Sequence, residues 1–183
     1  MLAAAGVMLA VLVTSASCTG GDGLSNGPLS VVGGDTVVSS KAEPGTTIAY
    51  GYNRVTNKGP DSVVNLTAEL VPVPGNDYSG VSIGGVMVTE GEAARVGYYG
   101  AGPWPDGEFS KIAMPLKGYT VKPDGLQVSL LFVVRVSGKG QWRWPSTRIT
   151  YETGGVAYSE EVSNGFLICS PATADCDPAP NTP

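Results

Sequence analysis

The sequence predicts an all-β domain, and it favours an antiparallel sandwich over a barrel. In several stretches apolar residues alternate with polar ones at a period of two, which is the spacing of side chains on one face of a strand. No window of a dozen residues keeps its apolar residues at helical spacing. The 26 glycines and 14 prolines fall largely between the alternating stretches, where they are typical of turns.

The clearest strand is predicted over residues 126–136. Every second residue from Leu126 to Val136 is apolar, and Leu131 and Val133 make the middle of the run apolar on the opposite face too. A strand that is apolar on both faces is covered on both faces. We therefore expect this strand at the centre of a sheet.

Shorter strands are predicted on either side of it, with turns rich in Gly or Pro between them. Because sheets without helices must bury their apolar faces on each other, about eight to ten such strands form a sandwich or a barrel. A break is predicted in the last strand near Ser163-Asn164-Gly165. The predicted ranges are 30–38, 46–53, 62–71, 80–88, 93–99, 108–114, 146–151 and 156–169.

The N-terminal residues predict an export signal. Residues 2–13 are all apolar or small, which is about the length of a signal-peptide core and short of the roughly 18 residues that a membrane-spanning helix needs. Small residues from Thr14 to Ser17 then precede Cys18, and signal peptidases accept small side chains before the cut. We expect a signal peptide over 1–17.

The four residues Ser15-Ala16-Ser17-Cys18 resemble the lipobox of bacterial lipoproteins, in which small residues precede a lipid-bearing Cys. They depart from that pattern at Ser15, where an aliphatic residue is usual. The resemblance implies a lipid anchor on Cys18 and a place on the outer face of the cell membrane, since two acyl chains hold a protein stably. The alternative is an ordinary cleaved signal and a secreted protein.

The rest of the chain divides into a tether, one domain and a tail. Residues 18–28 are Gly-rich and typical of a flexible tether, while the Pro-rich residues 170–183 predict a disordered tail. The stretch 29–169 between them is long enough to bury a core. Cys169 and Cys176, with six residues between them, could form a disulfide in an oxidising exterior compartment.

Two stretches of the domain carry a family resemblance. The stretch from Tyr52 to Val63 (YNRVTNKGPDSV) resembles a strand-turn-strand of immunoglobulin-like modules on bacterial surfaces. The stretch from Gly118 to Cys169 is similar to the C-terminal half of small secreted bacterial proteins with no assigned activity. Together they imply an immunoglobulin-like antiparallel β-sandwich in a bacterial surface lipoprotein, and no particular activity.

The composition excludes several kinds of chemistry. The chain has no His, which excludes a Ser-His-Asp or Cys-His hydrolase and every His-bearing metal site. Its three Cys, one of them assigned to lipid, cannot build a four-Cys site, so we expect no metal and no cofactor. The net charge of −5 and the scattered 11 Lys and Arg exclude nucleic acid as a partner, because that needs a clustered basic surface.

Paired carboxylates leave one enzymatic alternative open, a carbohydrate-active enzyme. Acids two residues apart on a strand share a face at roughly 7 Å, close to the separation in glycosidases. The simpler interpretation is that these acids are exposed residues of turns. The pairs are Glu90/Glu92, Asp106/Glu108, Asp175/Asp177 and the adjacent Glu160-Glu161.

Aromatic residues make up the candidate binding site. Trp142 and Trp144 lie two apart and would point the same way on an extended segment. Tyr98, Tyr99 and Trp104 lie in a loop rich in Gly and Pro. If exposed, the five rings would form a platform for a sugar or a partner protein. The interpretation that we favour for the two alternating tryptophans is that they seal the end of the core.

The sequence thus favours a non-enzymatic binding or scaffolding lipoprotein of the bacterial cell envelope. Its expected partners are the membrane, through the lipid, and an envelope protein or glycan. A domain that only assembles, by adding an edge strand to a larger complex, is a further alternative beside the enzyme.

Overall fold

The computed structural model describes residues 27–32, 36–96, 101–105 and 109–176. Within these residues the chain forms twelve strands and two short helices. None of the helices in this part of the chain is long and apolar enough to cross a membrane. In chain order the elements are β1 (Leu29–Val32), β2 (Val37–Lys41), β3 (Thr47–Asn57), β4 (Val64–Val71), β5 (Val81–Glu90), α1 (Gly91–Val96), β6 (Ala101–Pro103), α2 (Phe109–Ile112), β7 (Met114–Pro115), β8 (Gln127–Val136), β9 (Gly140–Trp144), β10 (Ser146–Thr153), β11 (Val156–Val162) and β12 (Gly165–Ser170).

Several predictions concern residues outside the described ranges. They are the signal peptide over 1–17, the lipid on Cys18, nearly all of the tether, and residues 177–183 of the tail. Tyr98 and Tyr99 of the aromatic platform also lie outside them.

Two layers of strands pack face to face. The first layer has the order β1-β3-β8-β5-β7, with β6 added to β3. The second layer combines two sheets, β11-β10-β4 and β2-β12-β9, which continue into each other because only Pro145 separates β9 from β10. Across the described residues every pairing is antiparallel except that of β2 with β12. This is an immunoglobulin-like arrangement, and the predicted all-β antiparallel sandwich is confirmed.

Strand β8 lies between β3 and β5, at the centre of the first layer as its two apolar faces predict. On one face Leu130 and Phe132 are fully buried in the core. On the other face Leu131 is also 0% exposed, and Ser129 donates a hydrogen bond of 2.9 Å to the carbonyl oxygen of Ala94 in α1. The helix therefore covers the outer face of this strand.

The core consists of two clusters of buried side chains. The first lies between the first layer and the strands β4 and β10, with Val128 and Ile149 among its members. The second lies between the first layer and the strands β9 and β12, where the ring of Tyr50 stacks on that of Phe166 with centroids 4.4 Å apart. Ala68 and Val86 pack against both clusters, so they mark the place where the clusters meet.

Two of the predicted strands are wrong. Much of the range 93–99 belongs to α1, because consecutive alanines favour a helix and Glu92 in its first turn interacts well with the helix dipole. The range 108–114 contains α2 and only the beginning of β7, which is short because Pro115 cannot donate a backbone hydrogen bond. The predicted strand over 30–38 is two strands, β1 and β2, which pair in different layers.

The first residues of the predicted tail lie within the described ranges and contact the domain. Residues 170–176 are described, and the backbone N–H of Ala172 donates a hydrogen bond of 3.0 Å to Glu43 Oε1. The side-chain amide of Gln141 donates one of 2.8 Å to the carbonyl oxygen of Asp175. These bonds hold the segment on the domain, because they help to offset the entropy lost on ordering it.

Candidate binding groove

Two of the five residues of the predicted aromatic platform are buried. Trp142 and Trp144 are each 3% exposed, because alternate residues of β9 share the face that lies on the core. The ring of Trp144 lies 5.8 Å from that of Phe166, centroid to centroid. A Cβ atom at Gly80 would come within 2.3 Å of the ring of Trp142, so the backbone packs directly on that indole. The two tryptophans therefore seal the core, which is the interpretation that the sequence favoured for them, and they do not belong to an exposed platform.

Of the other platform residues, Trp104 is the one that the structure describes. It is half-buried just after β6, and its backbone N–H donates a hydrogen bond of 2.9 Å to the carbonyl oxygen of Thr47. The structure therefore does not bring the platform together within its described part.

Cys169 and Cys176 are joined by a disulfide, with Cα atoms 5.7 Å apart. Cys169 is fully buried near the end of β12. The bond fixes the segment after β12 to the core, because one of its two sulfur atoms belongs to a buried strand residue.

One side of the sandwich is open between the edge strands β4 and β5. In the described residues β4 pairs only with β10, and β5 pairs with β8 along its length but with β7 only at Met87 and Val88. The chain after β7 crosses from the first layer to the second at this side. Its Leu116 donates a backbone hydrogen bond of 2.9 Å to Val86, and its Val121 exchanges two with Val63, of 2.9 and 3.0 Å.

This crossing segment leaves a groove of about 640 Å³ between the two edges. Its floor is apolar, since Leu66 and Leu116 are core residues and the partly buried Ala68 and Val86 line it too. The described residues that line it include the cation Lys117 and no carboxylate. The groove therefore exposes the meeting point of the two core clusters. This volume is within the usual range of ligand sites, about 300–1,000 Å³.

Each wall of the groove carries a β-bulge. On β5 the pairing with β8 shifts register between Ile83 and Gly85. On β4 the pairing with β10 shifts near Asn65, whose φ is 51° and whose side-chain nitrogen donates a hydrogen bond of 2.9 Å to Glu152 Oε2. A bulge bends its strand and interrupts the regular ladder. A Cβ atom at Gly85 would have nothing within 4 Å, so the glycine leaves this space empty.

A second feature is Glu160 on the edge strand β11, an acid of one of the predicted pairs whose burial the sequence analysis did not anticipate. Its side chain points to the same face as Tyr158 and Val162, which pack against the first core cluster. Its Oε1 is buried and has no hydrogen-bond partner among the described residues. This burial raises the pKa of Glu160 from 4.5 to about 7. Such a carboxyl favours its neutral form because burial penalises the charge.

The neighbouring Glu161 has the opposite environment. It faces away from the core, accepts a hydrogen bond from the hydroxyl of Ser146, and accepts another of 3.1 Å from Arg148 Nη2. Both hydrogen bonds lower the pKa of Glu161, and the bond from Ser146 has the larger effect. The predicted pair Glu160-Glu161 is thus split between two faces of one strand.

The other acid pairs do not share a cleft in the described residues. Glu90 accepts a hydrogen bond from the hydroxyl of Tyr119 beside a pocket of about 50 Å³, which is too small for a sugar ring. Asp106, Glu108 and Asp177 lie outside the described ranges. No group of three or more His, Cys, Asp or Glu in the described part of the chain could hold a metal ion.

Sequence signals for these features exist but are weak. A Gly pair at 84–85 inside a predicted strand is a signal of a bulge, and it marks one wall of the groove. Glu160 falls in register with the apolar residues of its strand, so the alternation places an acid on the core face.

No family model matches the sequence, and no curated protein matches it. Among solved structures, the chain is similar to the PapD-like domain 7 of human CEP192, with 14% identity, 78% of this chain and 84% of that one covered, and a TM-score of 0.38. It is also similar to the GAE domain of GGA2p from Saccharomyces cerevisiae, with 11% identity, 74% of this chain and 86% of that one covered, and a TM-score of 0.30. A third similar structure is the VesB protease of Vibrio cholerae, with 10% identity, 78% of this chain covered and a TM-score of 0.35. The match covers 32% of that protein, so the chain spans about a third of its length.

Proposed function

We propose that this protein is an exported, non-enzymatic binding lipoprotein of the bacterial cell envelope. A lipid on Cys18 holds it to the outer face of the cell membrane, and the groove between β4 and β5 binds a segment of another envelope protein. The observation that supports this proposal is the groove itself, about 640 Å³ of open apolar space between two strand edges. An exposed apolar site of this kind on a soluble domain is typical of an interaction surface.

The chemistry of the groove favours binding over catalysis. Acid–base catalysis needs titratable groups within hydrogen-bond reach of the reacting atoms. The described lining of the groove has no carboxylate, and its cation, Lys117, lies on an exposed turn. An apolar floor with few polar groups can exclude water from a partner, but it has no group to transfer a proton.

The sequence before the domain supports a location at the outer face of the cell membrane. A Gly-rich tether is predicted over residues 18–28, and a flexible chain of 11 residues would have a root-mean-square span of about 18 Å. A domain on such a tether stays close to the membrane surface and meets other envelope proteins there. Without the lipid the same domain is a secreted protein, which is the alternative for its location.

The alternative function, a carbohydrate-active enzyme, has one observation in its favour. The raised pKa of Glu160 suits a general acid. A glycosidase also needs a second carboxyl about 5–10 Å away, and the adjacent Glu161 faces the other side of the sheet. We therefore prefer the binding function.

The proposed function is tested with a photo-reactive amino acid introduced into the full-length protein in the bacterium that makes it. We place it at Lys117, on the rim of the groove, and as a control at Ser159, an exposed residue of β11. The expected result is one cross-linked protein adduct from position 117 that position 159 does not give and that Ala68→Arg, which fills the groove, abolishes.

The anchor is tested in the same cells. Mass spectrometry of the membrane fraction should show acyl chains on the N-terminal Cys18, and Cys18→Ala should remove the protein from that fraction. Equal adducts from both positions, adducts with glycan alone, or turnover of an envelope glycan by the purified protein would overturn the binding function. A mature protein with a free Cys18 thiol would overturn the anchor.

A further inference from the structure

We infer that the segment bound in the groove is an extended, apolar peptide strand that adds to the free edge of β5, in line with β7. This inference rests on the proposed function and names the chemistry of the partner segment. Three features of the groove carry it.

The first feature is that the chain already performs this strand addition once. Met114 and Pro115 pair with Val88 and Met87 on the edge of β5, and the backbone N–H of Leu116 donates to Val86. The side chain of Leu116 is buried in the core. A short extended segment with one apolar side chain is thus how the protein itself covers one half of this opening.

The added strand ends where the crossing segment turns away. Gly118 has a φ of 81°, a left-handed conformation that suits glycine, and the chain then crosses to Val63 in the second layer. In the described residues, the part of β5 before Val86 pairs only with β8. The edge that β7 begins to cover therefore continues, without a strand, along the wall of the groove.

The second feature is the backbone of the two walls. Each edge strand carries N–H and C=O groups that point away from its single neighbouring strand. A ligand that fills the groove removes water from these groups, and a buried backbone group without a partner costs free energy. A lipid chain offers no hydrogen bonds in return, whereas an extended peptide offers one donor and one acceptor per residue. The walls therefore favour a peptide over an acyl chain.

The third feature is the size of the floor. The groove touches β5 at residues 84–87, but Val86 and Met87 already bond to the crossing segment. The length available to an added strand is therefore residues 81–85, about 17 Å at the usual rise per residue. Alternate residues of an added strand would face the floor about 7 Å apart, so the groove accepts about two inward side chains. The small Ala68 and the two glycines at 84–85 leave room for them. The partner segment is thus a short strand with apolar residues at i and i+2.

The test uses the full chain in lipid nanodiscs and a phage-displayed library of random heptapeptides. The expected result is enrichment of peptides with apolar residues at alternating positions. A synthetic peptide of the enriched sequence should slow, by about tenfold, hydrogen exchange of those amides at 81–86 that do not already donate to β8 or to Tyr78. It should not slow exchange on the other edge strand, β11. Protection of the predicted amides distinguishes strand addition from simple apolar contact.

Two variants fill the groove from opposite walls. Ala68→Arg does so from β4. Gly84→Leu adds a side chain to a residue that lines the groove on β5. An added Cβ there makes only ordinary contacts, 3.7 Å from the carbonyl oxygen and 4.0 Å from Cγ1 of Val133. Each should weaken peptide binding by about tenfold or more, while Ser159→Arg on β11 should leave it unchanged. Circular dichroism of all three variants checks that they are folded.

The outcomes separate this inference from the proposed function. Binding of a fluorescent fatty acid that both groove variants abolish, with no peptide enriched, would overturn the inference in favour of a lipid ligand. Peptide binding without protection of the amides at 81–86 would overturn strand addition. In either case a protein adduct from position 117 in cells would leave the proposed binding function standing. If no such adduct formed, both the proposed function and this inference would be overturned.

Discussion

Asn164 donates a hydrogen bond of 2.6 Å from its side-chain nitrogen to Oδ1 of Asn53, and both residues are fully buried. Asn53 in turn donates one of 2.9 Å to Thr147 Oγ1. The three side chains connect β3 of the first layer to β10 and to the break between β11 and β12 in the second. A buried polar network of this kind stabilises the fold only while its members remain paired.

The first prediction follows from this network. Asn53→Leu leaves the Asn164 amide and the Thr147 hydroxyl buried without their partner, and each such group costs about 1–3 kcal/mol. We expect the free energy of unfolding in urea to fall by about 2–4 kcal/mol. Asn76→Leu in the exposed turn after β4 is the matched control and should change it by less than about 0.5 kcal/mol. Equal losses in both variants would contradict the role of the network.

The second prediction concerns Glu160 and pH. Its pKa is raised from 4.5 to about 7, so the folded protein holds this proton more tightly than the unfolded chain does. The associated stability is fully present below about pH 4.5 and is lost as the pH rises to about 7. Glu160→Gln keeps the shape and removes the charge. We expect it to raise the melting temperature at pH 8 by about 2–4 °C and to change it little at pH 4.

The control for this prediction is Glu161→Gln on the same strand. The pKa of Glu161 is lowered by its hydrogen bonds to Ser146 and Arg148, so its contribution has the opposite sign. It is present above the ordinary pKa of a glutamate and is lost as the pH falls. This variant should therefore lower the melting temperature slightly at pH 8. A Glu160→Gln variant with the same melting curve as the wild type from pH 4 to pH 8 would show that the carboxyl is not desolvated.

The third prediction concerns the disulfide. Cys169 and Cys176 close a loop with a sequence separation of 7, and the loop-closure relation gives about 2–3 kcal/mol for a loop of that length. We expect Cys176→Ser, which keeps the buried Cys169, to lower the free energy of unfolding by that amount. A reducing agent should do the same to the wild type and should have no effect on the variant. A wild type that is indifferent to reduction would contradict the stabilising role.

Much of the fold could be predicted because its signals are local. The alternation from Leu126 to Val136 gives β8 its central place, since each side chain on a strand has a fixed face. The break at Ser163-Asn164 was also predictable, because the apolar pattern of the last strand is interrupted there. The alternation did not predict α1, which is a helix of six residues. A helix this short follows the local preference of its residues and does not show a helical period in the sequence.

The groove could not be predicted because it is the space between three segments that are distant in sequence. Residues 65–68, 84–87 and 115–118 line it, and nothing in any one of them indicates the other two. The pairing also slips by one residue on each wall. A register shift is decided by the packing of whole sheets, so the Gly pair at 84–85 indicates a bulge without indicating what faces it.

The last prediction distinguishes the core from the surface among the tryptophans. Trp144 is 3% exposed and stacks on Phe166, whereas Trp104 is half-buried at the edge of the first layer. Removal of a buried tryptophan ring costs about 3–5 kcal/mol, because the lost contacts leave a cavity. We expect Trp144→Ala to lower the free energy of unfolding by that amount and Trp104→Ala to lower it by less than half as much. Urea unfolding followed by circular dichroism measures both without relying on the fluorescence that the substitutions alter. If Trp144→Ala were as stable as the wild type, the second core cluster would not depend on β9, and the indole would again be available for a binding surface.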